Sequence, residues 1–446
     1  MTTLKDSGTF IDRVLAAEAR QRAGLVVRRL ADPDVVAEAV TRAEAAAEFP
    51  FSWGGAAFYS GHAGSALAFQ YASRAMPADA GFWLGQVRAQ LAEAVASTHE
   101  VPLMTAGLAA GTAGLASALS DCAADEPRYA GALGELNAKL ASQVVEAPTW
   151  LSEDGVADGD YDVIAGASGI LAHLASAERG NPAVQRATNR LVDDLCHLCE
   201  PPSAGPRPWR IPPARYPMAE YRESYPHGYV NLGLAHGVAG PLAALSVAYE
   251  AGHGDERVRA TIRATADYLR GASIEDDHGW NWPAGIPLTG DGDEDRAELV
   301  PTRSAWCYGA PGIACALLRA SAALADGELK AAAVEVFDGA LRRFRHHGRF
   351  GSATLCHGAA GLLAMCVMFA RETGSELARG SVAPLTEHLL SHCDEALPLG
   401  VQDLEQPQGA LLDSPGLLSG AAGVALALWS AAGAIGHRWE RAFLIS

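Results

Sequence analysis

The sequence predicts an all-α fold, an α/α toroid in which an outer and an inner ring of helices form a double-ringed barrel. Two observations predict it. The pattern G-x-x-G, followed by an apolar run, occurs seven times, with first glycines 49 to 72 residues apart. Stretches with charged residues at helical spacing precede the motifs, as in "DERVRATIRATADYLRG". Repeats of one supersecondary unit are typical of helical arrays, and we expect one domain over residues 1–446.

The inner helices are predicted from the runs that follow the glycine motifs. These runs are apolar on nearly all sides, for example "LLAMCVMFA" and "VALALWSAAGA", which is typical of buried helices. The motifs begin at Gly61, Gly111, Gly166, Gly237, Gly309, Gly358 and Gly420. The two glycines of each motif let the chain turn sharply into the inner helix and let neighbouring helices approach closely.

The outer helices are predicted from the charged stretches, which place polar side chains on one solvent-exposed face of each helix. Seven of them alternate with the seven inner helices. An open array would need polar repeats at its two ends, and the chain has none, so we expect the helical hairpins to close into a ring.

Composition excludes several classes of protein. With 49% hydrophobic and 19% charged residues the chain is globular, and a net charge of -18 without a Lys or Arg cluster argues against nucleic acid. The sequence has neither an apolar run long enough to span a membrane nor the apolar core of a signal peptide, so we expect a cytoplasmic protein. Eight cysteines in 446 residues are too sparse for a disulfide framework, so we expect free thiols.

Alignment on the first glycine of each motif predicts which residues share one mouth of the ring. The residues two places before it are Tyr59, Ala109, Ile164, Ala235, Cys307, Cys356 and Leu418. The residues one place before it are Ser60, Ala110, Ala165, His236, Tyr308, His357 and Ser419. Side chains at these two positions are therefore the candidates for a functional site.

The cysteines in this alignment indicate a metal site. Cys307 and Cys356 occupy the same position in neighbouring repeats, and His357 follows directly. Two thiolates and an imidazole make a three-ligand zinc set, which leaves the fourth position open as catalytic zinc sites do. The alternative is that both cysteines are small buried apolar residues.

Four more residues are candidates for catalysis. His236 aligns with His357 and suits proton transfer near neutral pH, although a buried core histidine is the alternative. Asp162, in "YDVIAGASG", either orients His236 and shares its proton or caps the start of a helix. Arg303 and Tyr308 place a fixed cation and a hydroxyl near Cys307, but an ordinary ion pair would also explain Arg303.

Other segments carry weaker indications. The "CHLC" at 196–199 has metal-ligand spacing, but no second pair lies near it, so we expect these cysteines to be packed in the core. Two long segments, 200–230 and 275–302, are rich in aromatic, proline or acidic residues. Long loops on a rigid scaffold often bind substrate, although surface insertions are as good an explanation.

The motifs "SAWCYGAPG", "LCHGAAG", "LAHGVAG" and "YDVIAGASG" resemble the signature motifs of the LanC-like lanthionine cyclases. With the seven glycine motifs, the resemblance extends over nearly the whole chain. It implies an α/α toroid with Zn²⁺ held by Cys307, Cys356 and His357. We see no departure from the family pattern at these motifs.

The resemblance also assigns the remaining candidates and a reaction. It implies that His236 and Asp162 take part in proton transfer and that Arg303 and Tyr308 match the family's arginine and tyrosine. The reaction implied is Michael addition of a cysteine thiol to dehydroalanine or dehydrobutyrine in a ribosomally made precursor peptide. The product is a lanthionine or methyllanthionine thioether ring.

The resemblance implies partners as well as a reaction. The substrate would be a dehydrated precursor peptide with a leader and a core. The chain has no kinase signature and no dehydratase-sized segment, so we expect a stand-alone cyclase that works with a separate dehydratase and an exporter.

Three alternatives stay open. In the first, the chain adds a small thiol such as glutathione to dehydroamino acids; in the second, it is a non-catalytic scaffold that binds the peptide for a synthetase complex. An α/α-barrel glycosidase would need two carboxylates at the mouth, where the alignment offers Asp162 alone.

Overall fold

A computed structural model describes residues 9–177, 180–201, 207–347, 350–405 and 409–446, which form seventeen α-helices and six short strands. Helices α1 to α17 are Arg13–Leu30, Pro33–Ala46, His62–Ala75, Ala80–Glu100, Thr112–Asp125, Ala130–Glu146, Asp158–Tyr161, Ala167–Leu174, Pro182–Cys199, Tyr221–Ser224, Ala239–Glu250, Glu256–Gly271, Ala310–Leu324, Gly327–His347, Ala359–Glu372, Glu376–Leu390 and Ala421–Ala431. Strands β1 to β6 are Tyr229–Asn231, Ile274–Asp276, Gly279–Asn281, Gly285–Pro287, Asp403–Leu404 and Leu411–Leu412.

Packing divides the chain into two compact units. Unit 1 comprises residues 1–103, 118–129 and 344–440, and unit 2 comprises residues 104–117, 130–343 and 441–446. In unit 1, α3 packs against α4, α1 packs against α17, and α15 packs against α16 and α17. In unit 2, α11 packs against α8, α12 and α13, while α9 packs against α6 and α8.

The helices that follow the glycine motifs are α3, α5, α8, α11, α13, α15 and α17. They are the predicted inner helices. Every residue of α17 is buried, and α15 is buried from Ala359 to Ala370. The amphipathic helices bury one face only, as in α12, where the buried set includes Val258, Ile262 and Leu269 at helical spacing.

Several elements were not predicted. Helix α1 precedes the first predicted outer helix and is capped by Asp12, whose side chain accepts the N–H groups of Val14 and Leu15. The two long segments also contain short strands rather than loop alone: β1 pairs antiparallel with β4, and β2 pairs with β3. Residues 202–206 of the first segment lie outside the described residues.

One backbone hydrogen bond recurs at the start of the inner helices. The residue after the first glycine donates its N–H to the carbonyl six residues before that glycine. The pairs are His62 with Gly55, Thr112 with Thr105, Val238 with Asn231, Ala359 with Ser352, and Ala421 with Ser414. This bond satisfies a donor that a helix start otherwise leaves unpaired, and it folds the preceding segment tightly against the helix.

The second glycine makes room for the same segment in six of the motifs. A Cβ at Gly169 would lie 2.1 Å from the Val163 carbonyl oxygen, and one at Gly361 would lie 2.1 Å from the Leu355 carbonyl oxygen. Each carbonyl belongs to the residue three places before the first glycine of its own motif. The chain's own backbone, more than a neighbouring helix, therefore requires glycine here.

Backbone hydrogen bonds also join successive repeats two places before the first glycine. In unit 2, Ala109 N–H donates to Ile164 (2.8 Å) and Ala235 N–H donates to Cys307 (3.2 Å). In unit 1, Cys356 N–H donates to Leu418 (3.1 Å), and Leu418 N–H donates to the Tyr59 carbonyl (3.2 Å). Within each unit, the positions aligned by sequence are therefore neighbours in space.

No helix among the described residues is both long enough and apolar enough to cross a membrane.

We expect Gly169→Ala to lower the free energy of unfolding by about 1–3 kcal/mol, because the added methyl group collides with a buried carbonyl. Gly134→Ala is the matched control in unit 2: nothing lies within 4 Å of its added Cβ, so the variant should gain up to about 1 kcal/mol. Chemical denaturation of both variants measures this, and equal stabilities would contradict the explanation.

Candidate active site

A buried carboxylate and a histidine form the centre of the candidate site in unit 2. Asp162 is 1% exposed, and its Oδ1 accepts the N–H groups of Ala165 (2.7 Å) and Gly166 (2.9 Å). Its Oδ2 lies 2.6 Å from Nδ1 of His236. Asp162 therefore contacts both the turn that leads into α8 and the His236 ring.

The carboxylate determines which nitrogen of His236 can exchange a proton. An ionised carboxylate only accepts hydrogen bonds, so Nδ1 of His236 carries its proton toward Asp162. Nε2 is then the nitrogen that can give a proton to a substrate or take one. The His236 side chain remains 37% exposed, as this exchange requires.

The surroundings of His236 raise its pKa. Burial alone lowers the pKa of the imidazole, but its hydrogen bond to Asp162 and the electrostatic interactions with Asp162, Asp158 and Cys307 outweigh that effect. The pKa of His236 therefore lies above its ordinary value of about 6.5. At neutral pH, a larger fraction of His236 is therefore protonated than of a solvated histidine.

Tyr308 lies next to this pair. Its ring centroid is 6.4 Å from that of His236, and its hydroxyl accepts a hydrogen bond from Nδ2 of Asn231 at 3.1 Å. A Cβ at Gly233 would lie 2.7 Å from the Tyr308 ring, so glycine there is needed for the ring to fit. Burial raises the pKa of Tyr308, which stays a neutral phenol with a proton to donate.

Cys307 and Arg303 precede Tyr308 on the same segment. Cys307 is 6% exposed, and its carbonyl accepts the Ala235 N–H described above. The Arg303 carbonyl packs against Gly309, where φ is +87° and an added Cβ would lie 2.0 Å from that oxygen. The Arg303 side chain is exposed and lines a cavity together with Tyr308.

The candidates in unit 1 are Cys356 and His357, which precede α15. Nε2 of His357 lies 3.3 Å from the Leu404 carbonyl oxygen and 3.4 Å from Oδ1 of Asp403. Asp403 is 5% exposed. Histidines that bind metals usually present their second nitrogen to a carbonyl or carboxylate in this way. Nδ1 of His357 is therefore the nitrogen suited to a metal.

Asp403 is itself held in place. Its Oδ1 accepts hydrogen bonds from Ser352 Oγ at 2.6 Å and from Thr354 Oγ1 at 3.2 Å. Both hydroxyls belong to the segment that leads to Cys356 and His357. The carboxylate therefore joins this segment to β5.

The complete zinc ligand set stays a prediction. Cys307 belongs to unit 2, and Cys356 and His357 belong to unit 1. Within the described ranges, no group of three or more His, Cys, Asp or Glu side chains is placed so that it could hold a metal ion.

The cysteines of "CHLC" are packed in the core, as predicted. Cys196 and Cys199 are both 0% exposed within α9. Burial raises the pKa of Cys196 to about 11 and raises that of Cys199 as well. Neither thiol is activated as a thiolate.

Sequence alignment missed three polar residues that lie beside the candidates within each unit. Asn231 sits six places before Gly237, where Arg303 stands in the next repeat, so a longer alignment would have drawn attention to it. Asp158 lies close enough to His236 for its charge to raise the histidine pKa. Asp403 lies on a short strand 46 residues beyond His357, and nothing in the local sequence indicates its role.

Comparisons with known proteins agree with these motifs. A family model described as "Lanthionine synthetase C-like protein" matches residues 52–444. "Nisin biosynthesis protein NisC" of Lactococcus lactis subsp. lactis is 28% identical over 276 residues, 60% of this chain and 63% of that protein's length. The solved structure of "Nisin cyclase" superposes with a TM-score of 0.75 at 22% identity, covering 92% of this chain and 96% of that one. This likeness confirms the predicted α/α fold.

Replacing Asp162 should lower the pKa of His236. In Asp162→Asn the two backbone N–H groups keep an acceptor, but the negative charge is lost while the burial remains. We expect the histidine to titrate above pH ~6.5 in the parent protein and below it in the variant, measured by NMR with His236→Gln to assign the resonance.

The same shift affects stability. Protonated His236 stabilises the folded state below the unfolded pKa of about 6.5, and this contribution is lost as pH rises through the higher folded-state pKa. The free energy of unfolding of the parent, relative to that of His236→Gln, should therefore decrease as pH rises through that interval. A pH-independent difference would contradict the assigned pKa direction.

Proposed function

Because the chain belongs to the lanthionine synthetase C-like family, we propose that it is a cyclase that forms thioether rings in a dehydrated, ribosomally made precursor peptide. A cysteine thiol of the peptide adds to a dehydroalanine or dehydrobutyrine of the same peptide and gives lanthionine or methyllanthionine. The observation that carries the proposal is the Asp162–His236 pair, since it supplies an oriented proton donor at a motif position of the family.

The proposed metal site rests on the sequence alignment and on the chemistry of its donors. Cys307, Cys356 and His357 would hold Zn²⁺, which when bound lowers the pKa of a substrate thiol so that it reacts as a thiolate near neutral pH. Asp403 supports this assignment, because it presents a carboxylate to the second nitrogen of His357.

His236 is proposed to deliver the proton that completes the addition. The substrate sulfur forms a bond to the β carbon, and the electron pair of the double bond moves toward the neighbouring carbonyl to give an enolate. Nε2–H of the His236 imidazolium then protonates the α carbon. The proton released by the substrate thiol restores the imidazolium, so protons balance over one turnover.

Two residues are proposed to stabilise the enolate oxygen. Tyr308 is a neutral phenol whose oxygen already accepts a hydrogen bond from Asn231, so its own proton can point to another acceptor. Arg303 adds a permanent positive charge on the same segment. Donors placed where negative charge develops lower the barrier more than they strengthen substrate binding.

The partners are also proposals. The substrate is a dehydrated precursor peptide with a leader and a core, which requires a separate dehydratase before this step and an exporter after it. We propose that these reactions take place in the cytoplasm. The proteins named NisC and nisin cyclase, which this chain resembles, support a nisin-like class of peptide.

We expect about one zinc per chain in the purified protein and loss of most of it in Cys356→Ala, measured by elemental analysis. Cys366→Ala is the matched control, since Cys366 is buried within α15 and lies outside the aligned positions. Retention of zinc in Cys356→Ala, or equal loss in both variants, would exclude the proposed ligand set.

His236→Gln should slow thioether formation by about 10²–10⁴-fold without changing zinc content. The substrate is a synthetic peptide with one dehydroalanine and one cysteine, and ring formation is measured as loss of alkylable thiol. In D₂O, the product should gain one deuterium at the α carbon.

The exposed His197 on α9 gives the control, His197→Gln, which should keep the parental rate. Unchanged activity in His236→Gln would refute its role. Addition of glutathione to the same reaction tests the small-thiol alternative, because its adduct has a higher mass than the ring.

A further inference from the structure

A cavity of about 330 Å³ opens beside Tyr308 in unit 2. We call it the tyrosine pocket, and its main lining residues are Tyr221, Tyr225, Tyr229, Asn231, Arg303 and Tyr308. The volume is at the low end of the roughly 300–1,000 Å³ of ligand pockets. It therefore suits one large side chain with its adjoining backbone.

The floor of the pocket is rigid. It is formed by β1, which pairs with β4 so that Asn231 stands opposite Gly285. Asn231 is 1% exposed; its amide donates to Tyr308, and its Oδ1 accepts the Gly233 N–H at 3.1 Å. Because both ends of this side chain are bonded within the protein, it holds the pocket in one shape.

One wall is a set of tyrosine rings. The rings of Tyr225 and Tyr229 stack with centroids 4.5 Å apart at 17°, and those of Tyr221 and Tyr225 stack at 6.1 Å and 30°. Tyr216 packs edge-on against Tyr229 at 5.6 Å, and its hydroxyl donates to the Tyr225 carbonyl. A Cβ at Gly285 would come within 2.8 Å of the Tyr229 ring. The rings are thus in position before any ligand arrives.

The rim of the pocket is accessible to a peptide. Met218 is 49% exposed, Glu220 is also exposed, and Tyr221 is half-buried. An aromatic cluster that served only as a small core would be expected to bury these side chains. Aromatic faces next to an exposed methionine favour an apolar or aromatic ligand.

The pocket adjoins the candidate active site at Tyr308. Its ring lines the pocket and has its centroid 6.4 Å from that of His236. An extended peptide advances about 3.3–3.6 Å per residue, so we expect a residue bound in the pocket to lie within a few positions of one at His236.

We propose that the tyrosine pocket binds an apolar or aromatic side chain next to the dehydrated residue of the peptide substrate and so determines which sites are cyclised. This proposal rests on the proposed function for the identity of its ligand. It assigns a specificity role to the segment 216–229, which includes Tyr216, Tyr221, Tyr225 and Tyr229.

The test uses unreactive peptides, so that binding is measured apart from catalysis. Four N-acetylated, C-amidated peptides Gly-X-Ser-Gly-Gly, with X as Phe, Leu, Ala or Asp, are titrated into the purified full chain by calorimetry. We expect the Phe and Leu peptides to bind about tenfold more tightly than the Ala and Asp peptides.

Two variants locate this preference. Tyr221→Ala and Met218→Gln should each reduce it, and Met218→Gln alters an exposed side chain that the fold does not need. Tyr249→Ala is the matched control, because Tyr249 is a half-buried tyrosine near the end of α11, outside the pocket, and this variant should keep the preference.

Equal affinity of the parent protein for all four peptides would overturn the proposal. So would an unchanged preference in both pocket variants. A preference that these variants abolish, in a protein that forms no thioether, would support the pocket and count against the proposed function.

Discussion

The constraint on which the site depends is the series of backbone hydrogen bonds between segments that precede the glycine motifs. In unit 2 these bonds connect Ala235 to Cys307, and in unit 1 they connect Cys356 to Leu418. Because they join peptide groups and not side chains, they fix positions without restricting which side chain is presented. Ordinary residues in some repeats and chemically active residues in others can therefore share one architecture.

Much of this arrangement could be predicted from sequence because the repeats supply their own alignment. The glycine motifs identified all seven inner helices, and the alignment brought out His236 and Asp162, which the structure joins directly. The predictions failed where no repeat exists. Strands β1 to β6 have only two or three residues each, too few for alternation to be recognised. Asp403 comes close to His357 only through folding, so the local sequence does not indicate this contact.

The candidate active site pairs a buried polar residue with a more accessible one. Asp162 is fully enclosed and uses both oxygens within the protein, whereas His236 keeps a third of its side chain accessible. Tyr308 accepts a hydrogen bond from the buried amide of Asn231. In each pair, the residue proposed to meet the substrate is positioned by a partner that is bonded within the protein, which limits the reorganisation needed during the proposed reaction.

The pairing of β1 with β4 has a consequence for how such a protein can diversify. These strands join the two long segments of the sequence analysis to each other. The tyrosine-bearing segment between Pro213 and Tyr225 contains none of the inner or amphipathic helices of the repeats. Substitutions in this segment leave the glycine motifs and the Asp162–His236 pair unchanged. If this segment selects the peptide as proposed, a lineage can acquire a new preference by exchanging one short insert, while the helical scaffold and the Asp162–His236 pair are inherited unchanged.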